Sequence, residues 1–196
     1  MKSLSLNVPD EQAQAFAKEL ATLLQKHGVE VENKEAIDSL LPITERVKTF
    51  DDAVNILGVE HPMVTMYKAI TNLPDRTNDD KHIIAYAKLC IITAALNEGW
   101  EPQFTEDEYR YFPWFVFYTQ SEIDEMDDED KEGIRVLGRS GLSASAYAGV
   151  AYSLTSNASS GSYAGSGGRL CFKTRELAKY AGEQFLDIWA DYVVGF

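Results

Sequence analysis

No apolar run in this 196-residue sequence reaches the ~18 residues that a membrane span needs. The longest candidate, residues 83–96, is too short and is interrupted by Lys88. The opening MKSLSLNVPDEQ lacks an apolar core, so no secretory signal is read there. Basic clusters are missing as well: the 18 Lys and Arg form no run longer than a pair, and the net charge is −13. Nucleic acid and anionic membranes demand a basic patch that releases counterions, so neither is expected as a partner. Cysteine is scarce. Cys90 and Cys171 stand far apart, in neither metal-type nor redox-type spacing. Two lone thiols without a signal fit a reducing interior, with one disulfide between them left open. The simplest address is cytoplasmic, with virion association as the other.

Several chemical signatures are also absent. Neither GxxxxGK[ST] nor a Rossmann fingerprint occurs, and the Gly-rich stretch 161–168 precedes a strand pattern rather than a helix, so it reads as a loop. Gly138-Arg-Ser-Gly141 lacks the G-x-S-x-G elbow. No repeat at solenoid periods is found. No cofactor and no metal are expected.

The chain itself has globular composition, 45% hydrophobic and 25% charged, with enough length for one large domain or two small ones. Residues 1–47 read as a strand–helix segment and 48–196 as an α+β domain, with a single domain 1–196 as the other division. Residues 2–8 alternate like a short strand. A helix follows from Pro9 to just before Gly28, with acids at its start and Lys26 and His27 at its end. Its apolar stripe is Ala13, Phe16, Ala17, Leu20, Leu23 and Leu24. A weak segment, 34–41, ends at Pro42. Thr49 and Asp52 have capping-box spacing, and that helix stops at Gly58. Residues 63–73 form another helix before Pro74. The strongest helix, 80–98, is apolar on nearly every side, which places it at the centre of the core.

Beyond Gly99 the pattern changes. Residues 109–119 are aromatic and β-prone, with Pro113 marking an edge or a bulge. With both faces apolar, this segment is expected as a central strand rather than a stacking surface. Eight acids crowd residues 121–132. Asp128-x-Asp130-x-Glu132-Gly133 matches the front of a calcium loop, but the closing twelfth position is Arg139, so a solvated hairpin loop is expected. Residues 134–137 are a short strand. From 138 to 168, 22 of 31 residues are Ser, Gly or Ala, and residues 142–155 alternate strictly. That period-2 pattern predicts a half-buried strand with Val150, Tyr152 and Leu154 inward and Tyr147, Ser153 and Thr155 outward. A loop 157–168, a strand 169–173 and a helix capped by Thr174 complete the chain. Leu177, Phe185, Ile188 and Trp189 are its core face, and Ala178, Ala181 and Gly182 permit a close approach to the Ala-rich strand. Strands grouped after helices predict α+β: a helical N-terminal half with a central buried helix, then an antiparallel sheet covered by the C-terminal helix.

Three strings carry a resemblance: LCIITAALNEGW (89–100), YFPWF (111–115) and RLCFKTRELAKYAGEQF (169–185). They are similar to a family of small proteins of unknown activity from phages, prophages and related mobile elements of gut bacteria. The resemblance covers roughly residue 49 to the end, leaving the first ~45 residues outside it. It implies an association with phage or mobile elements, and it transfers no catalytic residues.

Both cysteines read as structural: Cys90 lies mid-helix among isoleucines and Cys171 between Leu170 and Phe172. The Ser/Gly/Ala/Tyr segment differs, because Tyr offers contact area at low entropic cost and Ser adapts its hydrogen bonds. The leading expectation is a non-enzymatic accessory protein that binds a protein or small molecule through Ser143, Ser145, Tyr147, Ser153 and Tyr163. The alternative is a small hydrolase or transferase beside Trp100 and Tyr111, with Glu98, Glu101, Glu108 or Glu176 as a carboxylate of raised pKa.

Overall fold

Backbone contacts divide the protein into two units, Met1–Lys48 and Thr49–Phe196. The computed structural model describes residues 9–27, 39, 41–73, 78–136, 147–159 and 168–194. The expected strand at 2–8 and most of the weak segment at 34–41 lie outside the described residues, as do 142–146 and 160–167.

In the first unit, helix α1 (Asp10–His27) ends on Lys26 and His27 as its charge pattern requires. Ala17 is buried, whereas Leu23 of the expected stripe is exposed. A single turn, α2 (Ile43–Arg46), starts directly after Pro42. Glu45 meets Lys48 at 2.9 Å and Lys18 of α1 at 3.5 Å. Those pairs hold its carboxyl below the usual range, Lys48 first, but the groups are exposed and stabilise little.

The second unit opens with α3 (Phe50–Leu57). Its capping box forms: Asp52 N–H donates to Thr49 Oγ1 at 3.2 Å and Thr49 N–H to Asp52 Oδ2 at 2.8 Å. Helix α4 (Pro62–Thr71) begins on Pro62, and His61 caps it by accepting Met63 N–H at Nδ1, 3.3 Å away. Helix α5 (Asn78–Asn97) is the spine, packed against α3, α4 and a later helix. Leu89, Ile91, Ile92, Ala95 and Leu96 are fully enclosed. Ile83 is exposed instead, so the all-round burial expected of this helix holds for its second half only.

The sheet has the order β1–β3–β2 with antiparallel pairs: β1 (Arg110–Thr119), β2 (Arg135–Val136) and β3 (Tyr147–Ala158). The middle position belongs to β3, correcting the expectation that the aromatic strand is central. Among the described residues strand β1 lies at the edge, where Pro113 costs no ladder bond, and its outer side makes one bridge, Tyr111 with Phe172. The expected strand at 169–173 shrinks to that bridge. The inward–outward alternation also breaks. Trp114 pairs with Leu154 but Phe115 with Tyr152, so Ser153 is the extra residue of a bulge. Parity flips there: Leu154 is 52% exposed beside Trp114 at 45%, and Thr155 is 6% exposed. A periodic pattern carries no sign of the bulge, so Leu154 and Thr155 lie on the faces opposite to those the alternation predicts.

The acidic block is not a hairpin loop. It forms two short helices, α6 (Gln120–Glu125) and α7 (Asp128–Lys131). Thr119 and Glu122 make a second capping box, Asp127 caps Asp130 at 2.8 Å, and the acids sit at the positive ends of both helices. Ile123 on α6 is buried against Gly149, where a β-carbon would lie 2.8 Å from Ile123 Cδ1.

The C-terminal segment is two helices, α8 (Arg175–Gln184) and α9 (Leu186–Val194), broken at Phe185. Thr174 Oγ1 caps α8 by accepting Leu177 N–H at 3.2 Å. Across the break Trp189 Nε1–H donates to the Ala181 carbonyl at 3.1 Å. Leu177, Phe185 and Trp189 are core as expected and Ile188 is half-buried. Helix α8 packs on β1 and β3, and α9 on α5. Gly182 meets Tyr152 and Pro113 rather than the alanines, because the larger side chains of the sheet face the helix there. The fold is α+β, an antiparallel sheet backed by the C-terminal helices with α5 behind them.

Candidate functional site

Beside the second half of α5 lies a cavity of about 620 Å³. Its walls come from the end of α3, the start of α4, one stripe of α5, the turn after α5 and residues 168–169. Leu57, Met63, Met66, Trp100 and Pro102 make most of it apolar. Its volume falls in the roughly 300–1,000 Å³ range of small-molecule sites.

Helix α5 contributes Tyr86, Cys90, Thr93 and Asn97, spaced by four, three and four residues and therefore aligned on one face. Asn97 is fully engaged. Its amide nitrogen donates to the Cys171 carbonyl at 2.9 Å, and its Oδ1 accepts Lys173 N–H at 3.0 Å. This pins the chain before α8 to the end of α5. Tyr86 and Cys90 stand one turn apart on this stripe. Burial pushes the Tyr86 hydroxyl up to about 12 and raises the Cys90 thiol, while the nearby Arg169 charge lowers both in part.

Thr93 is different. It is 3% exposed, and its Oγ1 has no hydrogen-bond partner among the described residues. A buried Thr in a helix ordinarily returns its hydroxyl to a carbonyl one turn back; a buried unpaired one costs about 1–3 kcal/mol. His61 also borders the cavity, and because its Nδ1 accepts Met63 N–H, the neutral ring carries its proton on Nε2. Arg169 and Glu101, both exposed, supply the charged groups of the wall. Among the described residues the wall offers apolar surface and several donors. A thiol whose pKa is raised by burial is a poor attacking group.

The residues expected from sequence fall elsewhere. Ser143, Ser145 and Tyr163 lie outside the described residues, and so does the side chain of Tyr147, whose backbone opens β3 opposite Thr119. Ser153 is exposed at the bulge of β3 and is not among the residues that line the cavity. Among the carboxylates, Glu101 borders the cavity, Glu98 pairs with Lys173 at 3.2 Å, and Glu108 lies 3.8 Å from the buried Arg110. Glu176 sits exposed in the first turn of α8. Trp100 is in the wall, but Tyr111 lies on the sheet under Arg175, so the two do not form one pocket.

The sequence reading missed His61, Thr93 and Arg169. The polar stripe 86–90–93–97 within an apolar helix was the available signal; His61 and Arg169 arrive only through tertiary packing. Among the described residues no helix is long and apolar enough to cross a membrane. No protein-family model, curated protein or solved structure matches the chain.

Proposed function

We propose that this chain is a non-enzymatic binding protein, an accessory of a phage or mobile element, that captures a small molecule in the α5 cavity. The observation that carries this reading is the cavity of about 620 Å³, walled by Leu57, Met63, Met66, Trp100 and Pro102 with His61 and Arg169 among its polar groups. A concave, mostly apolar wall with a few polar groups is the usual form of a small-molecule site. The strings at 89–100, 111–115 and 169–185, which resemble those of mobile-element proteins, suggest the setting. A macromolecular contact at the Ser153 face of β3 is the second reading, and the cavity is the better supported site.

The alternative, hydrolysis or group transfer by a carboxylate near Trp100, rests on Glu101 alone among the four acids, and Glu101 is exposed to water. The test uses purified protein incubated with a bacterial small-molecule extract, freed of unbound material and read by native mass spectrometry. One compound should be retained at one per chain and released with unchanged mass. Ala94→Phe, which fills the cavity, should abolish retention. Release of a compound of altered mass would favour the enzyme, and equal retention by the variant would remove the cavity from consideration.

A further inference from the structure

The polar groups around the cavity are unequal in kind, and the inequality selects a ligand class. Arg169 presents guanidinium donors and His61 its Nε2–H in the neutral ring. Glu101 is the single carboxylate of the wall. Among the described residues no carboxylate pairs with Arg169, whereas Arg110, Arg135 and Lys173 each have one. The remaining wall is aliphatic, thioether and indole surface.

We infer that the cavity takes an apolar-bodied organic acid, its carboxylate or sulfonate paired with Arg169 at the rim and its body lying against Met63, Met66 and Trp100. This rests on the reading of the cavity as the ligand site and adds the chemistry of the occupant. An acid group suits a planar guanidinium, which binds it bidentately, and an apolar body suits the thioether and indole walls. The Arg169 charge also reaches inward. Against burial, which raises both, it acts on Tyr86 and Cys90 by lowering the pKa of each. The net charge of −13 does not decide the matter, since exposed charges beyond about 10 Å are screened at 0.1 M salt. Glu101 repels an anion locally, which directs the acid group to the Arg169 side of the mouth.

Two dyes with the same aromatic body separate the terms: 8-anilinonaphthalene-1-sulfonate, an anion, and N-phenyl-1-naphthylamine, which is neutral. Both are titrated by fluorescence into the full chain, folded by circular dichroism, at low and high salt. The sulfonate should bind at one per chain, weaken with salt, and lose affinity about 10-fold or more in Arg169→Gln, the scale of a lost hydrogen bond to a charged group. The neutral dye should be unchanged by that substitution. Ala94→Phe should block both dyes; Met66→Trp, at an exposed wall position, replaces it if the first variant does not fold. If both dyes bind and are blocked by the filling variant, yet Arg169→Gln leaves the sulfonate unaffected or weakens both equally, the acid assignment is overturned and the cavity reading stands. If neither dye binds at one per chain, or filling blocks neither, the cavity reading falls and this inference with it.

Discussion

Gly182 on α8 presses against Tyr152 of β3 so closely that a β-carbon there would lie 2.5 Å from Tyr152 Cδ2, and 2.9 Å from Pro113 Cβ. Neither neighbour is free to withdraw. The Tyr152 hydroxyl is bonded to Thr155 Oγ1 at 2.8 Å, and Pro113 is held in the strand by its ring. Gly182→Ala therefore sets two known effects against each other. Alanine gains up to about 1 kcal/mol in helix propensity, while overpacking costs about 1–3 kcal/mol. We expect net destabilisation, read as a lower urea midpoint. An unchanged or higher midpoint would mean that the tyrosine ring moves aside and α8 approaches the sheet less tightly.

Asn97 ties α5 to the segment before α8 through two bonds made by one buried amide. Asn97→Ala leaves the Cys171 carbonyl and the Lys173 N–H without this partner. At about 1–3 kcal/mol for each buried group left unpaired, a loss of roughly 2–4 kcal/mol is expected once partial relaxation is allowed. The Lys173–Glu98 contact nearby is more exposed, so Glu98→Gln should lower the midpoint far less. Equal losses would show that the charge pair, rather than the amide, fastens the segment.

Elements whose ends are written locally were legible. The Thr49–Asp52 box, the stop at Gly58 and the Thr174 cap each depend on a few adjacent residues, and each forms. Thr119-x-x-Glu122 carried the same signature, but the surrounding charge drew attention to solvation instead, so α6 was missed. What depends on a partner strand was not legible. The parity flip at Ser153 follows from how β3 pairs with the Trp114–Phe115 step of β1, and no one-strand pattern encodes it. The aromatic content of β1 suggested a middle strand, whereas Pro113 pointed correctly to an edge or bulge. The cavity is half legible: its α5 stripe is periodic in sequence, but His61 and Arg169 reach the wall only through tertiary packing.

Cys171 makes stability depend on alkaline pH. Its thiol is buried, and burial pushes it up to about 11 from 9.0, with the Arg110 charge pulling part of the way back. The folded state thus holds this proton more tightly than the unfolded chain. The resulting stabilisation is complete below pH ~9 and is lost as pH rises toward ~11. Urea midpoints between pH 8 and 10.5 should fall with rising pH, and Cys171→Ala should fall less steeply. Part of the slope should survive in the variant, because burial raises Cys90 and Tyr86 as well. Identical slopes would mean that the Cys171 thiol is open to water.

Thr93→Val tests a hydroxyl that is buried beside the cavity and closed off from it. Valine has the shape of threonine and a similar helix propensity, so the change removes a hydroxyl and little else. Most substitutions at a site this buried destabilise a protein. Here the hydroxyl has no partner among the described residues, and replacing it with a methyl removes a desolvation cost. We expect the free protein to gain about 1 kcal/mol, seen as a higher urea midpoint. Retention of the compound taken from bacterial extract should be unchanged, because an enclosed oxygen makes no contact with a molecule in the cavity. A destabilised Thr93→Val protein would show that the hydroxyl is already paired in the free chain, and weaker retention would show that it opens to the cavity.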